Sequence, residues 1–298
     1  MARHLERAEN TARMVNVNAH LLLDLPKKLP VGWHPLIEIS GGAELFEELY
    51  TDTSERSVVR FLIADTRNPG SLLSSLGSAR ENARTIRDII PREGWELING
   101  SYLDTRTELP AGLSQKRRFY FLSSVVAKVE QLTGLFDSTM LHDVGYKFLC
   151  LGRTLERGDM TTRIVDVRSE TLLPQESEEL VPFEHIQWMS VLQSLSAYQS
   201  YMQKVQGPVR RRSAIRFLLQ DAEFPRAFLY CMGAVKSYLQ NLPNNDAPVR
   251  FVNRISRVRR ARPDEMTKKQ LHDYIDRLQL NLARLDSLIA KTYFASYT

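Results

Sequence analysis

The sequence predicts an all-α protein, a multi-helix bundle built from two homologous halves, and three observations predict it. Apolar residues recur at helical spacing through long stretches. Strand signals are weak, with no run of short alternating segments joined by Asn-Gly or Asp-Gly turns. Two segments of the chain return about 150 residues further on, in the same order.

The first predicted helix carries Leu5, Ala8, Ala12, Val15, Ala19, Leu22 and Leu23 on one stripe at spacings of three and four. Pro26, Pro30 and Pro35 end it and carry a connection. Pro69, Pro91, Pro110, Pro174, Pro182, Pro208, Pro225, Pro243, Pro248 and Pro263 then mark helix boundaries or first turns. Roughly ten to twelve helices, many of about 12 to 25 residues, fit between these breaks. The acidic stretch 170–181 reads as an irregular link between halves. The last predicted helix runs from Thr267, a candidate N-cap just after Pro263, to Phe294, with Leu271, Ile275, Leu278, Leu282, Leu285 and Ile289 on its apolar face.

The stronger repeat is charged. Arg3-His-Leu-Glu6-Arg7-Ala-Glu9-Asn-Thr-Ala-Arg13 returns as Arg153-Thr-Leu-Glu156-Arg157-Gly-Asp159-Met-Thr-Thr-Arg163. From Arg3 to Val17 against Arg153 to Val167, eight of fifteen positions are identical. A second repeat sets Ser57-Val-Val-Arg60-Phe61-Leu62-Ile-Ala-Asp65, closed by Pro69, against Ser213-Ala-Ile-Arg216-Phe217-Leu218-Leu-Gln-Asp221, closed by Pro225. Trp33 and Trp188 stand 155 apart between the two repeats. The expected organisation is one domain over 1–298, duplicated internally into about 1–140 and 141–298. Neither half is expected to close its own core, so the two should pack about a pseudo-twofold axis. The second copy has a lead-in, Leu141 to Gly152, for which Met1-Ala2 leaves no room. The first copy is therefore expected to start inside its helix, from an internal start or a lost N-terminal turn.

On a helical wheel Arg3, Glu6, Asn10 and Arg13 fall within about 80° of one another, opposite Leu5, Ala8, Ala12 and Val15. Met14, Val17 and Leu21 return on the charged side, so the helix becomes apolar all round and is expected to be buried. Three readings of the charges stay open. They are surface pairs at i,i+3 and i,i+4 worth a few tenths of a kcal/mol. Or they form an interior network that fixes packing. Or they form a site for an anion: paired arginines grip a carboxylate or phosphate, and a neighbouring Glu orients them or acts as a general base. On the last reading Glu6 and Glu156 are the candidate catalytic groups. Arg3, Arg7, Glu9, Arg13, Arg153, Arg157, Asp159 and Arg163 are the candidate anion- or substrate-binding set. Asp65 and Asp221, near Arg60 and Arg216, would complete each site, or would cap helices instead.

Other chemistries find little support. There is neither GxxxxGK[ST] nor GxGxxG, and Ser40-Gly41-Gly42 reads as a turn. Histidines 4, 20, 34, 142, 185 and 272 form no HExxH or Glu-x-x-His pattern, so neither a metal nor a cofactor is expected. Cys150 and Cys231 lie in apolar stretches without CxxC spacing and read as buried free thiols of a reducing compartment. The 298 residues hold 43% hydrophobic and 25% charged side chains with net charge +5, ordinary globular values. No apolar run approaches a membrane span and the first residues lack a signal peptide's core, so a cytoplasmic location is expected. Basic clusters at Arg210-Arg211-Arg212 and Arg254 to Arg262 read as a solvated or protein-docking face rather than a nucleic-acid surface.

With Leu5-Glu6-Arg7-Ala-Glu9-Asn-Thr-Ala-Arg13, Leu155-Glu156-Arg157, Trp33 with Pro35-Leu36, Asp65 with Pro69, and Phe224-Pro225-Arg226 in view, the chain resembles the bacterial alpha-E family along nearly its whole length. The resemblance implies an all-helical domain named for its Glu-Arg motif, encoded beside or fused to circularly permuted ATP-grasp proteins. It implies a role in peptide or amide ligation, modification and turnover. A small carboxylate, amine or peptide is the implied substrate, and any ATP would be handled by the partner. Members carry a short aromatic segment ahead of the first Glu-Arg motif, which this sequence lacks. A non-catalytic interaction scaffold with structural Glu-Arg motifs is the alternative expectation.

Overall fold

A computed structural model describes residues 1–26, 32–171 and 181–294. Every regular element among them is helical, in fifteen α-helices and two 3-10 turns. The chain divides into two compact units, Met1–Leu149 and Cys150–Thr298. The division falls inside a continuous helix, nine residues after the expected boundary at 140/141. The acidic stretch expected to link the halves lies within the second unit, and its residues 172–180 fall outside the described chain, as does Pro30.

In the first unit α1 (Ala2–Asp24) runs through the middle, packed against α5 (Leu72–Thr85), α8 (Gln115–Thr139) and α4 (Glu55–Ile63). The short α2 (Pro35–Ser40) and α3 (Ala43–Leu49) lead into α4. Gly41, at φ 72°, takes the left-handed conformation that closes α2, so Ser40-Gly41-Gly42 is the turn its composition indicated. α6 (Arg92–Thr107) packs on α5 and α8, and α7 (Leu109–Leu113) on α8 and α4. Gly94 permits the α6–α8 approach, because a Cβ there would stand 2.6 Å from Phe136 Cε1. Burial of α1 follows the expected stripe through Leu5, Ala8, Ala12 and Val15, and continues on the other side through Met14 and Leu21. Ala19 and Leu22 of the stripe are half-buried, and Leu23 departs from it at 81% exposed, although Leu21 and Leu25 on either side are buried.

α9 (Val144–Thr171) begins in the first unit and continues through the second. The second unit then holds α10 (Val181–Ser194), α11 (Tyr198–Val205), α12 (Arg211–Gln220), α13 (Phe228–Gln240), α14 (Asp246–Ile255) and α15 (Lys268–Tyr293), with 3-10 turns at Ser256–Arg260 and Pro263–Glu265. α12 packs on α10 and α13, α13 on α14, and α14 on α15. Thr161 on α9 donates to the carbonyl of Arg226 at 2.8 Å, and Gly158 lies beside Cys231, so α9 meets the start of α13. α15 matches its sequence reading throughout: Thr267 and Gln270 form a capping box, and all six expected apolar residues are buried. Cys150 and Cys231 are free and buried.

The units share local detail. α4 and α12 start at Glu55 and Arg211, and α5 and α13 at Leu72 and Phe228, both pairs 156 residues apart. Trp33 and Trp188 are both buried. No helix among the described residues is long and apolar enough to cross a membrane.

Candidate functional site

The charged repeat lies inside the protein. On α1, Glu6 is 1%, Glu9 2% and Arg13 8% exposed, and on α9 Glu156 is 2% exposed. This sets aside the surface reading for Glu6, Glu9, Arg13 and Glu156. Arg3, Arg7, Arg153, Arg157, Asp159 and Arg163 are half-buried. The amphipathic wheel of the motif explains the placement: its first turns are polar on one side only, and the helix is covered on both.

Within α1, Arg13 Nη2 donates to Glu9 Oε1 at 2.5 Å and to Glu130 Oε1 of α8 at 3.3 Å, and Asn10 Nδ2 lies 3.5 Å from Glu6 Oε1. The i,i+4 pair recurs on α9, where Arg163 Nε donates to Asp159 Oδ2 at 2.7 Å. Arg153 differs: its guanidinium makes no carboxylate pair among the described residues, and Nη2 stands 3.8 Å from Cys150 Sγ. Arg13 Nη1 and Arg153 Nε are buried without hydrogen-bond partners. Burial, followed by the neighbouring Cys150, pushes the phenol of Tyr238, which lies near Arg153 in the second unit, up to about 12.

Asp65 and Asp221 form turns. Asp65, just past α4, accepts from the Arg67 backbone N–H at 3.0 Å, from Arg67 Nη2 at 2.6 Å and from Tyr50 Oη at 2.7 Å. The Arg67 guanidinium holds its carboxyl well below the usual range, against the opposing effect of burial. Asp221, just past α12, accepts from the backbone N–H of Glu223 and of Phe224, each at 2.9 Å, and pairs with Lys204 Nζ at 2.6 Å. Burial raises its carboxyl, but these donors outweigh it and the net shift is downward. The capping alternative takes another form: among the described residues neither Asp pairs with Arg60 or Arg216, both exposed, and neither is the N-cap of the next helix. Ser71 caps α5, and Ala227 stands at that position before α13. The two aspartates tie off the preceding helix instead.

Sequence reasoning missed two polar clusters. Arg118 of α8 is 5% exposed; it pairs with Glu55 at 2.7 Å and lies over the Trp33 ring. Asp166 of α9 stands 2.9 Å from His272 Nδ1 of α15, whose Nε2 is 3.6 Å from Asp276. These three donors are close enough together to hold a divalent cation. Both imidazole nitrogens face carboxylates, though, an arrangement equally suited to clamping a charged imidazolium. The i,i+4 spacing of His272 and Asp276 was visible in sequence, but Asp166 is 106 residues away.

An all-helical domain whose polar residues of interest form two buried Glu/Arg sets on long helices defines the class of this protein. The Alpha-E family model, described as a predicted alpha-helical domain with a conserved ER motif, matches residues 1–294, and the chain belongs to that family. Similar curated proteins include uncharacterized proteins of Mycobacterium bovis and Mycobacterium tuberculosis, each 24% identical over 96% of this chain. The chain spans about a third of their length, 34% of each. No solved structure matches it.

Proposed function

We propose that this chain is the helical, non-ATP-binding component of an ATP-grasp-linked peptide or amide ligation system in the cytoplasm. Its contribution is a partner-docking scaffold, and its two Glu-Arg motifs are polar networks that fix the packing of α1 and α9. The observation that carries the structural reading is the burial of Glu6, Glu9 and Glu156, each at 2% exposure or less. Buried carboxylates with engaged partners set helix register and are costly to unpair. The ATP-grasp association comes from the family resemblance. It gains support from relatives in which the matched segment is about a third of a longer chain, as expected of one part in a larger assembly.

The same proposal includes an internal duplication with a pseudo-twofold relation between halves. Support comes from the common offset of α4/α12 and α5/α13, the two i,i+4 pairs and the two Asp-closed turns. A crystal structure in which α1 and α9 fail to superpose together with their surroundings would remove it.

A second reading has its own observation. The buried donors at Arg13 Nη1 and Arg153 Nε, with Arg153 lacking a carboxylate, suit a small carboxylate or phosphate held at the motifs. Co-expression with a circularly permuted ATP-grasp protein, using Glu156→Gln and Arg157→Lys, separates the two. Loss of stability in the variants supports the network. Intact fold and intact complex with lost ligation supports the site. Failure of the unmodified chain to form any complex contradicts the docking role.

A further inference from the structure

Charge is strongly segregated along this chain. Residues 204–269 contain fifteen lysines and arginines against five aspartates and glutamates, whereas the whole chain carries only +5. In the second unit part of this excess converges on a cleft. One cavity of about 370 Å³ is walled by Arg216 and Gln220 of α12, by Arg259 and Arg260 of the 3-10 turn, and by Arg262, Asp264 and Glu265. Arg262 is taken up by Glu265 at 3.1 Å. Arg216, Arg259 and Arg260 are exposed and make no ion pair among the described residues. Gln220 is locked, its Nε2 donating to the carbonyls of Val258 at 2.8 Å and Ala261 at 2.7 Å, which pins the arginine-bearing turn to α12. Four arginines and two carboxylates thus line one cleft.

A second cavity of about 480 Å³ adjoins it and shares Arg216, Gln220 and Arg259. Its lining adds the apolar Val205 and Phe217 beside Ser213 and Asp221, and its one lysine, Lys204, is already committed to Asp221 and Glu223. Phe217 is held by a stacked contact with Phe224 at 5.0 Å between ring centroids. The pair of cavities therefore offers an arginine-rich wall next to an apolar contact surface at Val205 and Phe217, at the scale of a small-molecule site.

We infer that this cleft binds a small phosphorylated organic molecule, its phosphate among Arg216, Arg259 and Arg260 and its apolar body over Val205 and Phe217. Like charges held together on a pinned turn repel one another, and a doubly charged oxyanion relieves that repulsion while using the bidentate geometry of guanidinium. An acidic protein segment would satisfy the arginines but leave the apolar contacts at Val205 and Phe217 unused. This site is independent of the Glu-Arg motifs and of the docking role proposed above.

The test uses the full chain and phenyl phosphate as the probe, with inorganic phosphate as its anion-only counterpart, in calorimetric titrations at low salt. Phenyl phosphate is expected to bind with a Kd near or below about 100 μM, and inorganic phosphate at least about tenfold more weakly. Arg216→Ala and Arg259→Ala are each expected to weaken phenyl phosphate about tenfold, while Arg250→Ala, which removes an exposed charge that lines neither cavity, leaves Kd within about twofold. All three side chains are exposed, so the variants should fold, and their unfolding midpoints check this. Absence of saturable binding below about 1 mM would overturn the inference. Equal weakening by Arg250→Ala would also overturn it, as would tight binding of an RNA oligonucleotide that all three substitutions weaken alike, since either marks a diffuse basic surface.

Discussion

Replacing Glu9 by Gln probes the best-defined pair of the buried motif. The Glu9 and Arg13 side chains are 2% and 9% exposed and lie 2.5 Å apart, whereas Glu130, the other partner of Arg13, is 61% exposed. At an effective dielectric near 20, two unit charges at that distance attract by about 6 to 7 kcal/mol, much of which offsets the desolvation of both groups. Removing one charge leaves Arg13 buried with only a solvent-screened partner, a loss of about 3 to 5 kcal/mol. Replacing both, as Glu9→Gln with Arg13→Met, removes the stranded charge and should recover about 2 kcal/mol of the additive loss. The α9 counterpart gives the internal comparison. Asp159 and Arg163 are 21% and 33% exposed at 2.7 Å, so Asp159→Asn should cost only about 1 kcal/mol. Urea unfolding followed by circular dichroism reads these variants, the Arg13→Met single variant and the unmodified chain, the Glu9→Gln midpoint falling by about 1 M or more. A Glu9→Gln cost below about 1 kcal/mol, or one no larger than that of Asp159→Asn, refutes the argument that burial decides the strength of these pairs.

Three further outcomes follow from the geometry. Asp65 has its folded pKa depressed, so its contribution is complete above the unfolded value near 3.9 and is lost as pH falls from there toward the folded value. Asp65→Ala should cost about 2 kcal/mol at pH 7, mainly from the Tyr50 and backbone bonds because Arg67 is 58% exposed, and should flatten the acid limb of stability against pH; an unchanged limb contradicts this. Thr267→Ala should lose the α15 cap, costing about 1 kcal/mol and speeding amide exchange at Gln270, and unchanged exchange there would contradict it. Gly94→Val should cost about 2 kcal/mol by driving α6 off Phe136, and a neutral result in thermal unfolding would show that the contact yields.

The parts of the fold legible in sequence are those where one helix face decides burial. α15 carries an apolar residue at every inward position and a hydroxyl at its start, so its limits and core face could be written down in advance. α2, α3 and α7 span five to seven residues, less than two turns, too short for periodicity to register, which is why fewer and longer helices were expected. The Arg254 to Arg262 cluster was visible in sequence, but the break in its backbone was not. Ile255 ends α14, and Arg257, Arg259 and Arg260 sit on a 3-10 turn whose path depends on Gln220 of α12. The charged motifs were legible as a repeat, and their burial followed from α1 turning apolar all round. Their chemistry was not legible, because the deciding partners are distant in sequence: Glu130 for Arg13, Lys204 for Asp221, His272 for Asp166.

The central claim is that the Glu-Arg motifs hold the helices together. The unfolding free energy of Glu156→Gln, measured on the ligand-free chain, tests it most directly. Glu156 is 2% exposed at the middle of α9, and a structural network predicts a loss of about 3 kcal/mol or more with no added ligand. A loss within about 0.5 kcal/mol, the range of an ordinary surface substitution, would contradict the account.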